Sequence, residues 1–295
     1  MKLGGSKISV VANVVLCLLA LSCILPLLLL VISSLTAETE LARNGYSFFP
    51  GQFGLDAYRY LWKTRVQLLT AYKMTLIVTT LGTLSNLTVT TLFAYGLSKK
   101  EMPGHTFLSF MVFFTMLFNG GIIPSYLMWV QVFHIKDTLW ALIVPNLLMN
   151  GFSVIVMRTY FTTSIPAEVL EAGTLDGAGE WRMLWNIVLP LSSPIIATIA
   201  LLSGLAYWND WINGLYYIVK HTELFTIQNF LNRLMASTDF MMNADTNSAI
   251  ASGIKVPSAG IRMAIAVIAV IPVLCIYPFL QRGFVKGIVI GSVKG

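Results

Sequence analysis

The chain's acidic residues concentrate in one short polar stretch that separates two long apolar stretches. Four of the 13 acidic residues lie within positions 164–194: Glu168, Glu171, Asp176 and Glu180. Pro166 can begin a helix because its missing N–H would be unpaired there anyway, and acidic side chains in the first turns suit the positive helix end. Gly177 is a natural helix stop. The spacing therefore predicts a small acidic helix ending near Asp176, whose carboxylates can meet cations of another protein.

A second helix is predicted directly after Gly177. Its apolar positions follow the i, i+3, i+4, i+7, i+8 spacing of one helix face: Trp181, Leu184, Trp185, Val188 and Leu189. That face would fix the helix to the bilayer or to the helix bundle. Two short helices of this kind can dock in a groove of another protein, since the small residues Ala172 and Gly173 permit close approach. The alternative is an ordinary connecting loop.

Composition places these helices in a membrane protein. The chain is 56% hydrophobic and 11% charged, against about 25% charged in soluble domains. Its net charge of +6 comes from Lys and Arg scattered at segment ends rather than clustered in a stripe, which argues against nucleic acid as a partner. The three cysteines fall in apolar runs, and no metal-ligand spacing is present.

Six apolar stretches are long enough to cross a bilayer, whose hydrocarbon core of about 30 Å needs about 20 helical residues. They cover residues 8–33, 74–97, 107–130, 138–157, 195–218 and 262–280. The longer connections are a cytoplasmic loop at 158–194 and outer loops at 34–73 and 219–261. The first stretch is too long for the apolar region of a signal peptide. Lys2 and Lys7 before it favour a cytoplasmic amino terminus, which puts the carboxyl terminus on the same side.

Two of the six stretches are interrupted. Residues 119–121 (Asn-Gly-Gly) break the third stretch, and Pro145 lies near the middle of the fourth. Such breaks expose backbone carbonyls, which is tolerated only where protein or a water-filled cavity receives them. The break in the third stretch marks either a packing kink or a pore lining.

In the first outer loop, apolar residues from Leu55 to Trp62 at helical spacing predict an interfacial amphipathic helix.

The acidic stretch resembles the EAA loop of ABC importer permeases. In that family Glu-Ala-Ala is followed by three residues, Gly, nine residues and Ile-x-Leu-Pro. Here Glu171-Ala172-Gly173 is followed at the same spacing by Gly177 and by Ile187-Val188-Leu189-Pro190. Gly173 for the third Ala is the one departure, and it lowers helix propensity by about 1 kcal/mol.

The resemblance extends over nearly the whole chain, to the carbohydrate-uptake branch that includes maltose-type inner permeases. Segments that carry it include Thr138-Leu139-Trp140, Ile165-Pro166-Ala167-Glu168 and the tail from Val285 to Gly295. The segment from Phe118 to Pro124 and the tail look most like Gram-positive permeases for oligosaccharides from complex polysaccharides.

This resemblance implies an all-α, type I ABC importer permease fold with a cytoplasmic helix-turn-helix coupling loop. The residues expected to couple to the ATPase are Glu168, Glu171, Ala172, Gly173, Asp176, Gly177 and Ala178. It also implies a second permease subunit, two ATPase subunits that bind ATP and Mg, an extracellular sugar-binding protein and an oligosaccharide substrate. No G-x-x-x-x-G-K-[ST] phosphate loop occurs in the chain, so no cofactor of its own is expected.

One polar cluster lies toward the outer end of the fifth stretch and includes Asp210, the only carboxylate in any predicted span. Its members are Tyr207, Trp208, Asn209, Asp210, Trp211 and Asn213. Aromatic faces stack on sugars while Asn and Asp bind hydroxyl groups, so the cluster is a candidate substrate pathway. An interfacial aromatic belt is the alternative. By resemblance, the outer loop around Ala249, Ser252 and Gly253 would help release sugar from the binding protein, or it is simply a flexible loop.

The expected protein is therefore a multi-pass subunit of a bacterial cell membrane, surrounded by lipid. An ion-coupled secondary transporter or channel is the alternative, although such proteins usually carry intramembrane ionisable relays or inverted repeats. An enzyme is not expected, because the spans contain no Ser/His, Cys/His or metal-ligand constellation.

Overall fold

The computed structural model describes residues 6–243, 259–272 and 274. The first helices are α1 (Ser6–Ser34), α2 (Glu38–Asn44), α3 (Asp56–Lys63), α4 (Arg65–Ser98), α5 (His105–Leu117), α6 (Ile122–Leu127) with a following π-helical turn (Met128–Val132), α7 (Trp140–Ile143) and α8 (Gly151–Thr163). Then come α9 (Ala167–Leu175), α10 (Glu180–Met183), a π-helical turn (Leu184–Val188), α11 (Leu189–Leu191), α12 (Ser193–Asn209), α13 (Ile212–Tyr217), a 3₁₀ turn (Thr222–Leu224), α14 (Ile227–Asn243) and α15 (Ala259–Pro272). The predicted all-α class is confirmed for these residues.

One compact unit contains the described residues up to Val66 and from Leu231 to Leu274. Within it, the Glu38 carboxylate accepts the N–H groups of Ala259 and Gly260, both at 3.3 Å, where α15 begins. A helix is present where the first outer loop was predicted to contain one, as α3, with Leu61 buried and Trp62 69% exposed. Its position at the membrane interface stays a prediction.

The other unit contains residues Gln67–Phe230 and carries the candidate sites. A buried core holds the end of α4 against α8 and the chain that follows α9. Its most buried members are Ala94, Leu97, Val154, Met157, Phe161, Met183, Leu184, Val188 and Ile199. A separate core is formed by residues that include Val78, Leu142, Ile143, Tyr207, Tyr217 and Ile218. The first core therefore positions the acidic stretch, and the second positions the polar cluster.

Uninterrupted helices account for only part of the six predicted spans. Among the described residues, α1 and α4 are long and apolar enough to cross a membrane, and two bent pairs bring the number to four if each pair is one span. The chain bends by 120° between α5 and the segment Ile122–Val132, and by 81° between the segment Glu180–Leu191 and α12. Residues 273 and 275–280 of the predicted sixth span, and the carboxyl-terminal tail, lie outside the described residues.

The fourth and fifth predicted spans are broken helices rather than continuous ones. In the fourth, α7 ends at Ile143 and α8 begins at Gly151, because Pro145 and the left-handed Asn146, with φ of 62°, cannot continue a helix. In the fifth, α12 ends at Asn209 and α13 begins at Ile212, with the Asp210 carboxylate accepting the N–H groups that start the new helix.

The second outer loop also departs from the prediction, since it contains the 17-residue helix α14. Ile227 and Leu231, four residues apart, are almost fully buried in the structure. This spacing was the available sequence signal for a helix.

Candidate functional site

The acidic stretch forms helix α9, between α8 and α12. Pro166 precedes the helix in extended conformation, with φ of −61° and ψ of 135°, and Glu168 lies in the first turn. Ile165 beside it is buried and anchors the start of the helix. Glu168, Glu171 and Ala172 are exposed. The helix therefore presents its carboxylates outward while its amino-terminal end is held by the core.

The turn after α9 explains the Gly at position 177. Its φ is +72°, a left-handed value that favours glycine. The Ala178 N–H donates to the Gly173 carbonyl, and the Gly177 N–H donates to the Thr174 carbonyl, both at 3.0 Å. This pair of bonds is the Schellman arrangement that closes a helix carboxyl end. Gly177 supplies the conformation and Ala178 supplies the closing backbone bond, while the exposed Asp176 ends the helix.

Gly173 marks the point where α9 approaches the next helical segment most closely. Gly173 is buried, and a Cβ atom placed there would lie 3.0 Å from Met183 Sδ and from Ile187 Cδ1. The departure from the family's third Ala therefore has a local reason, since glycine lets the two helical segments pack without displacing these side chains. Both contacts are made by the far ends of flexible side chains, which can give by a few tenths of an ångström.

The segment Glu180–Leu191, named here the lever segment, contains both buried and exposed members of the apolar face that the sequence predicted. Leu184 and Val188 are buried, but Trp181 and Trp185 are 66% and 63% exposed. Residues four apart lie on the same side of a helix, so the tryptophans form one stripe and the buried pair forms a neighbouring one. A π-helical turn occupies Leu184–Val188. The tryptophans form their own exposed face.

Glu180 links the lever segment to the end of α4. The Tyr95 hydroxyl donates to Glu180 Oε2 at 2.5 Å, and Lys99 Nζ lies 3.3 Å from the same oxygen. The hydrogen bond from Tyr95 is the main cause that brings the pKa of Glu180 below its ordinary value; burial acts to raise this pKa, and the charge of Lys99 acts to lower it. Sequence reasoning missed this cluster because its members lie about 80 positions apart.

The carbonyl of Leu97 holds α4 to α8 on the same side. Arg158 Nε donates to it at 2.9 Å, and His105 Nε2 lies 3.2 Å away. The end of α4 is thus fixed by α8 through Arg158 and by the lever segment through Glu180. A shallow cleft of about 550 Å³ remains between α9 and the turn after α4. It is lined by Ser98, Lys99, Lys100, Glu101, Leu170, Glu171, Thr174 and Leu175.

Two members of the polar cluster support the broken fourth segment. The Tyr207 hydroxyl donates to the Ile143 carbonyl at 2.9 Å, and Asn213 Nδ2 donates to the Pro145 carbonyl at 3.0 Å. Both side chains are almost fully buried. They supply hydrogen bonds that a continuous helix would have supplied to this backbone.

The remaining members of the polar cluster have different environments. The Asp210 carboxylate accepts the N–H of Ile212, the first residue of α13. Asn209 Nδ2 donates to the Leu205 carbonyl on its own helix. Trp211 is 39% exposed, whereas Trp208 is 5% exposed and its indole Nε1 has no hydrogen-bond partner. The role of this cluster in a substrate pathway stays a prediction. Ala249, Ser252 and Gly253 lie outside the described residues.

Asn86 on α4 completes the support of the break and was not singled out by the sequence. Its Nδ2 donates to the carbonyls of Leu147 and Leu148 at 2.8 and 3.1 Å, and its Oδ1 accepts from the Ser203 hydroxyl at 2.7 Å. An asparagine within an apolar span was the available signal, because such a residue usually has a polar partner on another helix.

Asp137 fastens the turn before α7 to the chain after α13. Its Oδ1 accepts the N–H groups of Val219 and Lys220 at 2.6 and 2.8 Å. Burial acts to raise the Asp137 pKa, but the N–H donors bring it below its ordinary value. The described residues contain no cluster of His, Cys, Asp and Glu that could hold a metal ion.

Comparisons with known proteins agree with this arrangement. Residues 9–290 match the family model described as "Binding-protein-dependent transport system inner membrane component". The chain is 39% identical to "Protein LplC" of Bacillus subtilis (strain 168), covering 92% of this chain and 90% of that protein. It is 37% identical to the "Polygalacturonan/rhamnogalacturonan transport system permease protein YtcP" of the same organism, covering 94% of each.

A solved structure has the same fold. It is described as "Crystal structure of a bacterial ABC transporter involved in the import of the acidic polysaccharide alginate". The TM-score is 0.78 at 27% sequence identity, and the match covers 96% of this chain and 98% of the other.

Proposed function

Because the chain belongs to the family of binding-protein-dependent transport system inner membrane components, we propose that its acidic loop couples an ATPase to the membrane helices of an oligosaccharide importer. The chain is an integral, multi-pass permease subunit and not an enzyme, and the ATPase of such an importer is a separate subunit. An importer of this family also works with a solute-binding protein. The proposal extends to a second permease, to two ATPases that bind ATP and Mg, and to cytoplasmic chain termini.

The observation that carries the coupling proposal is the continuous mechanical connection from α9 to two membrane helices. Gly173 packs α9 on Met183 and Ile187 of the lever segment. The lever segment in turn joins α12 through Ser192, a fully buried residue. Its Glu180 is tied to the end of α4. A displacement of α9 is therefore passed to α12 through the chain itself and to α4 through side chains.

The exposed surface of α9 suits an ATPase groove. Leu175 is 88% exposed at its end, beside the acidic side chains of Glu171 and Asp176. A large apolar side chain standing this far out gains by burial in a partner, by about 1.5–3 kcal/mol when burial is complete. Carboxylates around it would select a groove with a cationic rim.

The substrate that we propose is an acidic oligosaccharide derived from a plant or microbial polysaccharide. Two of the similar proteins described above are named for acidic polymers: polygalacturonan, a polymer of a uronic acid, and alginate. Uptake of an acidic oligosaccharide by the reconstituted importer should be inhibited more strongly by galacturonate oligosaccharides than by neutral oligosaccharides of equal length. Equal inhibition by both series would contradict the acidic class and would leave the permease assignment unaffected.

Substitution of Gly177 tests the coupling role. A Cβ at this position has open space within 4 Å, so a side chain acts through the backbone conformation and not through a clash within the chain. Valine in the left-handed region costs about 1–2 kcal/mol, whereas asparagine adopts that region more readily. We expect Gly177→Val to lose sugar-stimulated ATP hydrolysis and uptake while it still inserts into the membrane, and Gly177→Asn to retain more of both.

A charge reversal at the exposed Glu171 gives a second, independent test of the docking surface. Glu171→Lys should uncouple uptake from ATP hydrolysis because a cation would then face the groove that receives α9. Normal uptake in both Gly177→Val and Glu171→Lys, measured in proteoliposomes with the ATPase and binding protein present, would refute the coupling role of this loop.

A further inference from the structure

The exposed face of the lever segment is an unassigned surface. Trp181 and Trp185 lie four residues apart on it and together leave about two thirds of their surface uncovered. By contrast, Met183, Leu184 and Val188 of the same segment are at most 2% exposed. The lever segment is therefore anchored to its own unit by one side and presents two large aromatic side chains to something else.

The bend at Ser192 gives the orientation of this face relative to a membrane. The lever segment and α12 meet at 81°. A spanning helix is tilted by about 20° on average from the bilayer normal, so a segment nearly perpendicular to α12 lies close to the membrane plane. The 17 residues of α12 rise about 26 Å, which is close to the hydrocarbon thickness of about 30 Å. The end of the lever segment that joins α12 therefore lies at the level of the lipid headgroups.

The side chains on the lever segment match that layer. Tryptophan is enriched at the membrane–water interface because its ring is apolar and its indole N–H is polar. Arg182 lies between the two tryptophans in sequence and is exposed, as a residue that pairs with lipid phosphate must be. Leu191 at the other end of the segment is 47% exposed. The contrast with α9 is one of charge, since the exposed carboxylates of α9 would be repelled by the anionic cytoplasmic leaflet, whereas Glu180 of the lever segment is paired with Lys99.

We propose that the lever segment lies in the headgroup layer of the cytoplasmic leaflet, with Trp181 and Trp185 inserted among the lipids. When α9 moves, the lever segment then turns about its contact with the bilayer surface. The lipid contact itself requires that α12 spans a bilayer with its amino-terminal end on the cytoplasmic side, as proposed. It does not depend on α9 docking to an ATPase. Failure of the coupling tests and failure of this proposal are thus separate results.

Spin labels on the assembled importer test the proposal. Cysteine is placed singly at Trp181, Trp185 or Asp176 in a chain whose native cysteines are replaced by serine, and the complex is reconstituted in nanodiscs of phosphatidylethanolamine and phosphatidylglycerol. Labels at 181 and 185 should collide several-fold more with oxygen, relative to a water-soluble nickel reagent, than the label at 176. Labels at 181 and 185 that are as accessible to nickel as the label at 176 would overturn the proposal.

Photo-crosslinking separates lipid from protein as the occupant. Benzoylphenylalanine in place of Trp181 should yield lipid adducts when the assembled importer in the same nanodiscs is irradiated, and at Asp176 it should yield adducts with the ATPase. A crosslink from position 181 to the ATPase or to the second permease, in place of lipid, would show that a protein covers this face and would refute the proposal.

Discussion

Replacing Asn86 with aspartate should destabilise the permease although the two side chains have nearly the same shape. Asn86 is 2% exposed, and its amide nitrogen donates to the carbonyls of Leu147 and Leu148 in the break of the fourth segment. An ionised aspartate donates to neither carbonyl and places a second oxygen against them. The hydrogen bond from Ser203 to the other oxygen would remain, since aspartate also accepts.

The size of the effect follows from the number of carbonyls that lose their donor. A buried polar group left unpaired costs about 1–3 kcal/mol, so two such groups predict a loss of about 2–6 kcal/mol. If the aspartate takes up a proton, it can donate one hydrogen bond, and the loss falls to about half of that range. Either value is a large share of a typical folding free energy of about 5–15 kcal/mol.

Equilibrium unfolding of the purified permease in bicelles measures this loss. Ser203→Ala is the matched control because it removes one bond to the same amide and leaves both carbonyl bonds in place. It leaves one buried acceptor, Asn86 Oδ1, without its donor and should cost about 1–3 kcal/mol. An Asn86→Asp variant as stable as the wild type, or less affected than Ser203→Ala, would refute the reasoning that this amide supports the break.

Two further predictions concern the coupling loop. Gly173→Ala should retain uptake because the displaced Met183 end is flexible, whereas Gly173→Leu should wedge α9 from the lever segment and reduce uptake in the same proteoliposome assay; equal activity of the two variants would contradict the packing argument. The hydrogen bond from Tyr95 and the charge of Lys99 lower the pKa of Glu180 in the folded protein. The ionised Glu180 therefore stabilises the folded protein above the ordinary pKa of 4.5, and this stabilisation is lost as pH falls through the lowered pKa. Over that window wild-type stability should fall more steeply than that of Glu180→Gln, and parallel curves would count against the link.

The local features of the coupling loop were predictable because their causes are local. Pro166 and Gly177 act on their own backbone, and the structure places an extended residue before α9 and a left-handed residue after it. The family motif at Glu171 added the expected role, which the physics of the helix alone left open. The exposure of Trp181 and the burial of Leu184 were not predictable from a 3.6-residue period, since the period places both on one side of the helix without showing what covers each of them.

The supports of the broken segments were beyond sequence reasoning for a different reason. Asn86 binds carbonyl groups 61 and 62 positions away, and a backbone carbonyl carries no residue identity that a pattern could reveal. Pro145 predicted a break in the helix, but it did not indicate which side chains would donate hydrogen bonds to the backbone there. At Asp210 the signal was read as a carboxylate in a span, while the structure uses it to begin a new helix.

The support of the fourth segment has a consequence for the order of biosynthesis. Asn86 leaves the ribosome before the carbonyls that it serves, but Tyr207 and Asn213 follow Ile143 and Pro145 by 64 and 68 positions. During that interval the backbone at the break keeps part of its hydrogen bonding with water or with the insertion machinery, because lipid offers none. We therefore expect release of the fourth segment into the bilayer to await arrival of the fifth, and we predict that a nascent chain truncated before Tyr207 is retained at the site of insertion.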